Sequence, residues 1–163
     1  MSDALVIIPT YNEKENIEAI IRTVFNQEKA FHILVVDDNS PDGTSTIVED
    51  LITEFPEQLF IEKRQGKNGL GTAYIHGFKW ALTKKYEYII EMDADFSHNP
   101  EDLVRLYNAC HNEGGDVSIG SRYVNNQVNV VNWDIKRLLL SYFASRYVPV
   151  SYTHLRAHET RHD

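Results

Sequence analysis

The sequence predicts an α/β domain: a mostly parallel sheet flanked by helices. Two observations carry that expectation. Short apolar runs alternate with helical periodicities as β-α-β-α-β-α-β-α-β, the pattern of crossover-connected parallel strands. The chain's 163 residues, 42% of them hydrophobic, allow one ordinary domain with a real core.

Strands are expected near Ala4 to Ile8, Phe31 to Asp37, Leu59 to Lys63, Tyr88 to Asp93 and Val117 to Ser121. The first helix follows from Ile17, Ile20, Ile21 and Val24, which recur at i, i+3, i+4, i+7, with Asn12 and Glu15 at capping-box spacing. A second helix starts near Thr44, buries Ile47, Leu51, Ile52 and Phe55, and ends before Pro56. A third runs from about Thr72 to Lys84. The fourth takes Asn99 as its cap and Pro100 as its first residue, with Glu101 and Asp102 favouring the positive end of the helix dipole.

Composition narrows the function. A formal net charge of -8 with no basic stripe argues against a nucleic-acid partner. The single cysteine, Cys110, rules out an internal disulfide framework, fits a reducing compartment, and has the helical spacing of a core residue. No secretory leader is read at the start, and no run reaches the ~20 apolar residues that span a bilayer. The expected location is cytoplasmic, with a peripheral position at the inner face of the membrane as its variant.

The chemistry is concentrated where strands end. Asp93-Ala94-Asp95 follows the apolar run Tyr86 to Met92, Asp37-Asp38 closes the second strand, and Pro9-Thr10-Tyr11-Asn12-Glu13 follows the first. In open parallel sheets ligands bind outside the carboxyl ends of the strands. Glu13, Asp37, Asp38, Asp93 and Asp95 are therefore expected around one crevice, where crowded carboxylates repel unless a cation or hydrogen-bond donors offset them. A divalent cation is the simplest resolution, and paired hard-oxygen ligands that hold a cation on a diphosphate belong to nucleotide-dependent transferases. Competing structural roles stand beside these: Gly43 and Gly69 serve turns, Glu13 favours a helix dipole, Tyr11 packs, Asp42 caps the second helix, and His98 has no assigned role.

Past Ser121 the pattern changes to a polar loop with Asn125, Asn126, Gln127 and Asn129. Trp133 to Val148 is then basic and apolar together, which reads as a helix packed on the sheet, with a helix lying on lipid headgroups as the alternative. His154, His158 and His162 near the end are spaced like metal ligands on a helix. That attraction is rejected, because the stretch resembles a translated sequencing-adapter tail. The expected organisation is a catalytic domain over 1–149, lacking its C-terminal part, and a non-native tail over 150–163.

Together Pro9 to Glu13, Val36 to Thr44, Gly69 to Tyr74 and Met92 to His98 resemble the family 2 glycosyltransferases, within them the polyprenol-phosphate (dolichol-phosphate) mannosyltransferases. Gly120-Ser121-Arg122-Tyr123 and Trp133 to Arg137 extend the resemblance to about Arg146. It implies a GT-A fold, a nucleotide-diphospho-sugar donor, Mg²⁺ or Mn²⁺, and a polyprenyl-phosphate acceptor. Residue by residue, it places Pro9, Tyr11, Glu13, Val36 and Asp38 on the nucleoside, Asp93 and Ala94 on the nucleotide, and Asp93 and Asp95 on the cation, with Ser97 as a further polar candidate. Asp95, Arg122 and Arg137 are the expected catalytic residues, Arg122 on the donor diphosphate or acceptor phosphate and Arg137 on the acceptor, a role that guanidinium geometry suits.

The lipid phosphate is anionic at neutral pH, so direct attack at the anomeric carbon inverts it without an enzyme base. The implied activity is transfer of mannose from GDP-mannose to dolichyl or undecaprenyl phosphate. UDP-glucose in the same family, or a nucleotide-binding fragment without transfer, are the alternatives. Other classes fit less well: a receiver domain carries its acidic pair after the first strand, a haloacid-dehalogenase phosphatase places its D-x-D early, and a dinucleotide oxidoreductase needs G-x-G-x-x-G after the first strand.

Overall fold

The computed structural model describes residues 2–120 and two short strands, 123–124 and 127–128. The chain divides into two compact units, Met1–Val131 and Asn132–Asp163, and all described residues belong to the first. Its elements alternate as expected: β1 (Ala4–Thr10), α1 (Ile17–Phe25), β2 (His32–Asp37), α2 (Thr44–Glu54), β3 (Leu59–Lys63), α3 (Leu70–Leu82), β4 (Tyr88–Glu91) and α4 (Asp102–His111). The pair β5 (Tyr123–Val124) and β6 (Gln127–Val128) follows. The first four strands form a parallel sheet in the order β3-β2-β1-β4.

Both faces of the sheet are covered, which is why β1 and β2 read as continuous apolar runs rather than alternating ones. Ala4, Val6 and Ile8 of β1 and Ile33 and Val35 of β2 pack into one core with Ile17, Ile20, Ile21 and Val24 of α1, Val48 and Leu51 of α2, and Leu103 and Tyr107 of α4. Leu5, Ile7, Leu34 and Val36 face the other way, onto Ala73, Tyr74 and Ala81 of α3. Ile17, Ile20, Ile21 and Val24 of α1 are fully buried, each worth roughly 1.5–3 kcal/mol against exposure.

Several local expectations change. Asn12 and Glu15 do not form a capping box: Asn12 takes a left-handed φ of 60°, and α1 starts only at Ile17. Instead the Glu13 carbonyl accepts from the amides of Asn16 and Ile17 at 3.0 and 2.9 Å. Asn99 does accept from the Glu101 amide, at 3.1 Å, but regular helix begins at Asp102. Cys110 is half-buried rather than enclosed.

The expected fifth strand is the main miss. Residues 117–120 pair with no strand among the described residues, and Val117 and Ile119 are 76% and 82% exposed. Apolar alternation marks a segment suited to a ladder but does not supply the edge that completes it; Ser118 instead donates its hydroxyl to the Leu106 carbonyl at 2.8 Å. A short antiparallel pairing of β5 with β6 falls where only a polar loop was expected. No described helix is long and apolar enough to cross a membrane.

Gly77 shows how closely α3 sits on β1. A Cβ added there would lie 2.7 Å from Cγ2 of Ile7, a branched and fully buried side chain. In a solvent-facing helix Gly→Ala stabilises by about 1 kcal/mol. Here the clash decides the sign: Gly77→Ala is expected to destabilise by about 1–3 kcal/mol, read as a lower urea midpoint with unchanged slope.

Candidate active site

The strand order turns at β1, with β2 on one side and β4 on the other. An open cleft of about 240 Å³ lies there, beyond the carboxyl ends of the strands. Pro9, Thr10, Tyr11 and Glu13 line it from the end of β1, Asp38 from β2, and Asp93, Ala94 and Asp95 from β4. Gly69, Leu70 and Ala73 from the start of α3, with Lys67 before it, close the remaining side.

The fold thus brings together Pro9, Tyr11, Glu13, Asp38, Asp93, Ala94 and Asp95. Val36 is not among them; it is fully buried in the core beneath α3, because an apolar residue inside a doubly covered strand points at a helix rather than at the rim. Arg122 and Arg137 lie outside the described residues.

Asp37 does not face the cleft. Its fully buried carboxylate accepts four hydrogen bonds: from the hydroxyls of Thr10 (2.9 Å), Ser40 (2.6 Å) and Ser45 (2.7 Å), and from the Ser40 amide (2.9 Å). Burial pushes its pKa up, but donors from Ser40, Ser45 and Thr10 outweigh burial and hold it below the ordinary carboxylate value. The acidic pair is therefore split by strand geometry, Asp37 turning in as an anchor and Asp38 outward.

The loops after β1 and β2 are laced together. Asn12, Glu13 and Lys14 donate their amides to Ser40 Oγ, Thr44 Oγ1 and Asp42 Oδ2 at 3.0, 3.0 and 3.1 Å. Asp42 also accepts from the Thr44 amide at 3.0 Å, but the cap position of α2 is Gly43, so the aspartate binds the first helical amide from one residue before the cap rather than capping the helix as expected. Gly43, at φ 94°, makes the turn into that helix, a conformation open to glycine at little cost.

On the far wall, Tyr74 donates its hydroxyl to Asp93 Oδ1 at 3.0 Å. Burial, then the neighbouring Asp93 charge, raises the Tyr74 pKa, so the phenol remains a donor across the physiological range. His98 accepts from the Asp93 amide through Nδ1 at 3.2 Å. Asp95 is exposed, and its Oδ1 accepts from the Ser97 amide at 2.9 Å. Burial acts to raise its pKa, yet the bonds from Ser97 and the proximity of His98 leave it lowered. Phe96, in a left-handed conformation at φ 59°, turns the chain immediately after this carboxylate.

Sequence reasoning missed Arg64, Lys67 and Tyr74. Arg64 pairs with Asp38 through two bonds, 2.5 Å from Nε and 2.7 Å from Nη2. Lys67 places its ammonium 4.2 Å from the Tyr11 ring centroid. None of the three lies in an acidic strand end; Tyr74 closes the Gly69 to Tyr74 motif without a role assigned to it, and Arg64 and Lys67 had no signal beyond proximity to that motif.

Among the described residues, no group of three or more His, Cys, Asp or Glu side chains is gathered to hold a metal. Asp93 and Asp95 both line the open cleft, which gives it two hard-oxygen side chains on the β4 side. That set fits a Mg²⁺-type ion, which is commonly held by one or two carboxylates with substrate phosphates and water completing its shell.

A family model described as "Glycosyl transferase family 2" matches residues 5–161. The polyprenol monophosphomannose synthase of Mycolicibacterium smegmatis is 48% identical over 143 residues, 88% of this chain and 53% of the relative. The undecaprenyl-phosphate mannosyltransferase of Micrococcus luteus is 42% identical, covering 88% of this chain and 57% of its own. The dolichol-phosphate mannosyltransferase of Pyrococcus furiosus is 41% identical over 83% of this chain and 37% of its own. The chain thus spans about half the length of the first two.

Among solved structures, a Pyrobaculum calidifontis mannosyltransferase in complex with GDP-Man and Mn²⁺ aligns at TM-score 0.56 and 26% identity, over 63% of this chain and 30% of that one. S. aureus TarS 1-349 in complex with UDP aligns at TM-score 0.61 and 27% identity, over 78% and 37%. The parallel sheet flanked by helices is the GT-A fold.

Because the folded carboxylate of Asp37 has a depressed pKa, its stabilisation is complete above its unfolded value near 3.8 and is lost as pH falls through the lower folded value. Asp37→Ala is expected to cost about 2–3 kcal/mol at pH 7, from unfolding curves, and the gap to the parent chain should narrow only below about pH 4.

Proposed function

The chain belongs to glycosyl transferase family 2, and we propose that it carries the donor-binding half of an inverting mannosyltransferase that moves mannose from GDP-mannose onto a polyprenyl phosphate. The observation that supports this most directly is the convergence of Glu13, Asp38, Asp93 and Asp95 on one cleft at the switch point of the sheet. The names of the relatives supply the sugar and the acceptor class.

In this reading Pro9, Tyr11 and Glu13 bound the nucleoside, and Asp38 accepts a hydrogen bond from its base or ribose. Ala94, nearly buried, lets the nucleotide approach the backbone between the two aspartates. Asp93 and Asp95 hold a divalent cation, Mg²⁺ or Mn²⁺, whose chemistry when bound is Lewis-acid neutralisation of the charge on a departing diphosphate. Tyr74 keeps one Asp93 oxygen occupied, so the carboxylate is oriented before ligand arrives. Arg122 is assigned to the donor diphosphate or the acceptor phosphate, and Arg137 to the acceptor phosphate, as bidentate donors. The oxyanion of the lipid phosphate attacks the anomeric carbon, the bond from that carbon to the diphosphate oxygen breaks, and the anomeric configuration inverts. No proton has to leave the nucleophile, so no general base is required.

Two measurements test the reading. With GDP-mannose, Mn²⁺ and undecaprenyl phosphate, mannosyl-lipid should form, and Asp95→Ala should lower turnover on the order of 100-fold or more. Arg122→Ala at saturating donor should lower turnover by roughly tenfold or more; an unchanged rate removes Arg122 from the site. Calorimetry with GDP and UDP, each with Mn²⁺, distinguishes the alternatives. Tighter UDP binding selects the UDP-sugar variant, for which the UDP complex of the TarS relative is the supporting observation. GDP binding without transfer selects a donor-binding fragment, consistent with the share of the relatives that is covered. Failure to bind either nucleotide overturns the donor site.

A further inference from the structure

We infer that Arg64 is a positioning residue for the nucleoside subsite, acting through Asp38 and tying it to the start of α3; this rests on the donor site proposed above. Arg64 directly follows β3, and its backbone amide donates to the Asp37 carbonyl at 2.8 Å, carrying the β2–β3 ladder one residue beyond the strand. Its side chain reaches back across the end of β2. Nε meets Asp38 Oδ1 at 2.5 Å and Nη2 meets Oδ2 at 2.7 Å, the parallel fork that fixes a carboxylate in both position and plane. The third nitrogen, Nη1, donates to Thr72 Oγ1 at 2.8 Å. Thr72 lies in the first turn of α3 and passes its own hydroxyl proton to the Gly69 carbonyl at 2.7 Å.

The arginine and aspartate side chains are only 10% and 7% exposed, which separates this pair from the weak ion pairs of the open surface. Of the two, Asp38 lines the cleft and Arg64 does not. Each of the three guanidinium nitrogens donates within the protein, using three of its five N–H groups, and the side chain stands outside the cleft lining, so its effect on ligand passes through the carboxylate it grips. Each Asp38 oxygen, with one lone pair taken by Arg64, retains capacity for a further donor. The result is a fixed, acceptor-only group aimed at an N–H or O–H of the nucleoside. The same arginine holds the Gly69 turn against the β2 end, so two walls of the nucleoside subsite share one brace.

A brace and a ligand contact differ in a measurable way. In calorimetry on the full chain with Mn²⁺, Arg64→Ala should weaken GDP binding by about tenfold while leaving inorganic pyrophosphate within about twofold of the parent, because only the nucleoside loses its positioned acceptor. Equal losses for both probes, or no loss for GDP, overturn the inference. In an Asp38→Asn background the further change Arg64→Ala should alter GDP affinity less than about twofold; an additional loss of about fivefold or more means Arg64 touches the ligand itself, and also overturns it.

Two milder substitutions keep the question answerable if Arg64→Ala does not fold. Arg64→Lys retains the charge but not the fork and should cost about fivefold in GDP affinity; parent-like affinity would reduce Arg64 to a point charge and sink the bracing role. Thr72→Val, which cuts the link to α3, should cost about threefold for GDP and nothing for pyrophosphate. If the parent chain itself binds no GDP, the donor site fails first; if the parent binds and the variants match it, only the inference fails.

Discussion

A carboxylate buried at the end of a central strand must be fully hydrogen-bonded, and at Asp37 that requirement organises the rim of the sheet. Each oxygen takes two donors, and the donors come from three separate places: the last residue of β1, the loop after β2 and the first turn of α2. An unmet buried charge costs several kcal/mol, so these pieces cannot drift apart without penalty. Thr10 is held beside Asp37 in register, and the loop carrying Ser40 is drawn over the strand end. Among the described residues no buried side-chain nitrogen or oxygen is left without a partner.

From that anchor the cleft follows. Because Asp37 points inward, Asp38 is turned out toward the cleft, and Arg64 and Thr72 secure it from the β3 and α3 side. The loop after β1 is fastened to Ser40, Asp42 and Thr44, which places Tyr11 and Glu13 on the near wall. On the opposite wall Tyr74 reaches from the core side of α3 to Asp93. Helix α3 therefore steadies both walls, Thr72 through Arg64 and Tyr74 through Asp93, while its buried face packs on β1 and β2. The polar network and the hydrophobic core are one construction: the register of α3 on the sheet, set by contacts such as Gly77 on Ile7, also sets where two carboxylates point.

Carboxylates stand on both walls of the cleft, so a ligand that fills it must bring hydrogen-bond donors or a cation. Asp38 and Glu13 offer acceptors at one end, Asp93 and Asp95 hard oxygens at the other, and Lys67 stands over Tyr11 at the side. Asp95 is the exposed member of the set.

How much of this the sequence determined depends on the range of the interactions involved. Fold class, the four parallel strands and the buried stripe of α1 were legible, because apolar periodicity reports which face a segment must bury. So was the gathering of Glu13, Asp38, Asp93 and Asp95, since parallel strands necessarily deliver their carboxyl ends to one edge. The tertiary structure alone decided that Asp37 is an anchor, that Val36 faces the core and that residues 117–120 make no ladder among the described residues, because pairing and side-chain direction depend on neighbours distant in sequence. It alone revealed Arg64, which lies 26 residues from Asp38 and is joined to it only once β3 lies beside β2. A local pattern can announce that a carboxylate stands at the rim; which group holds it there is settled by packing.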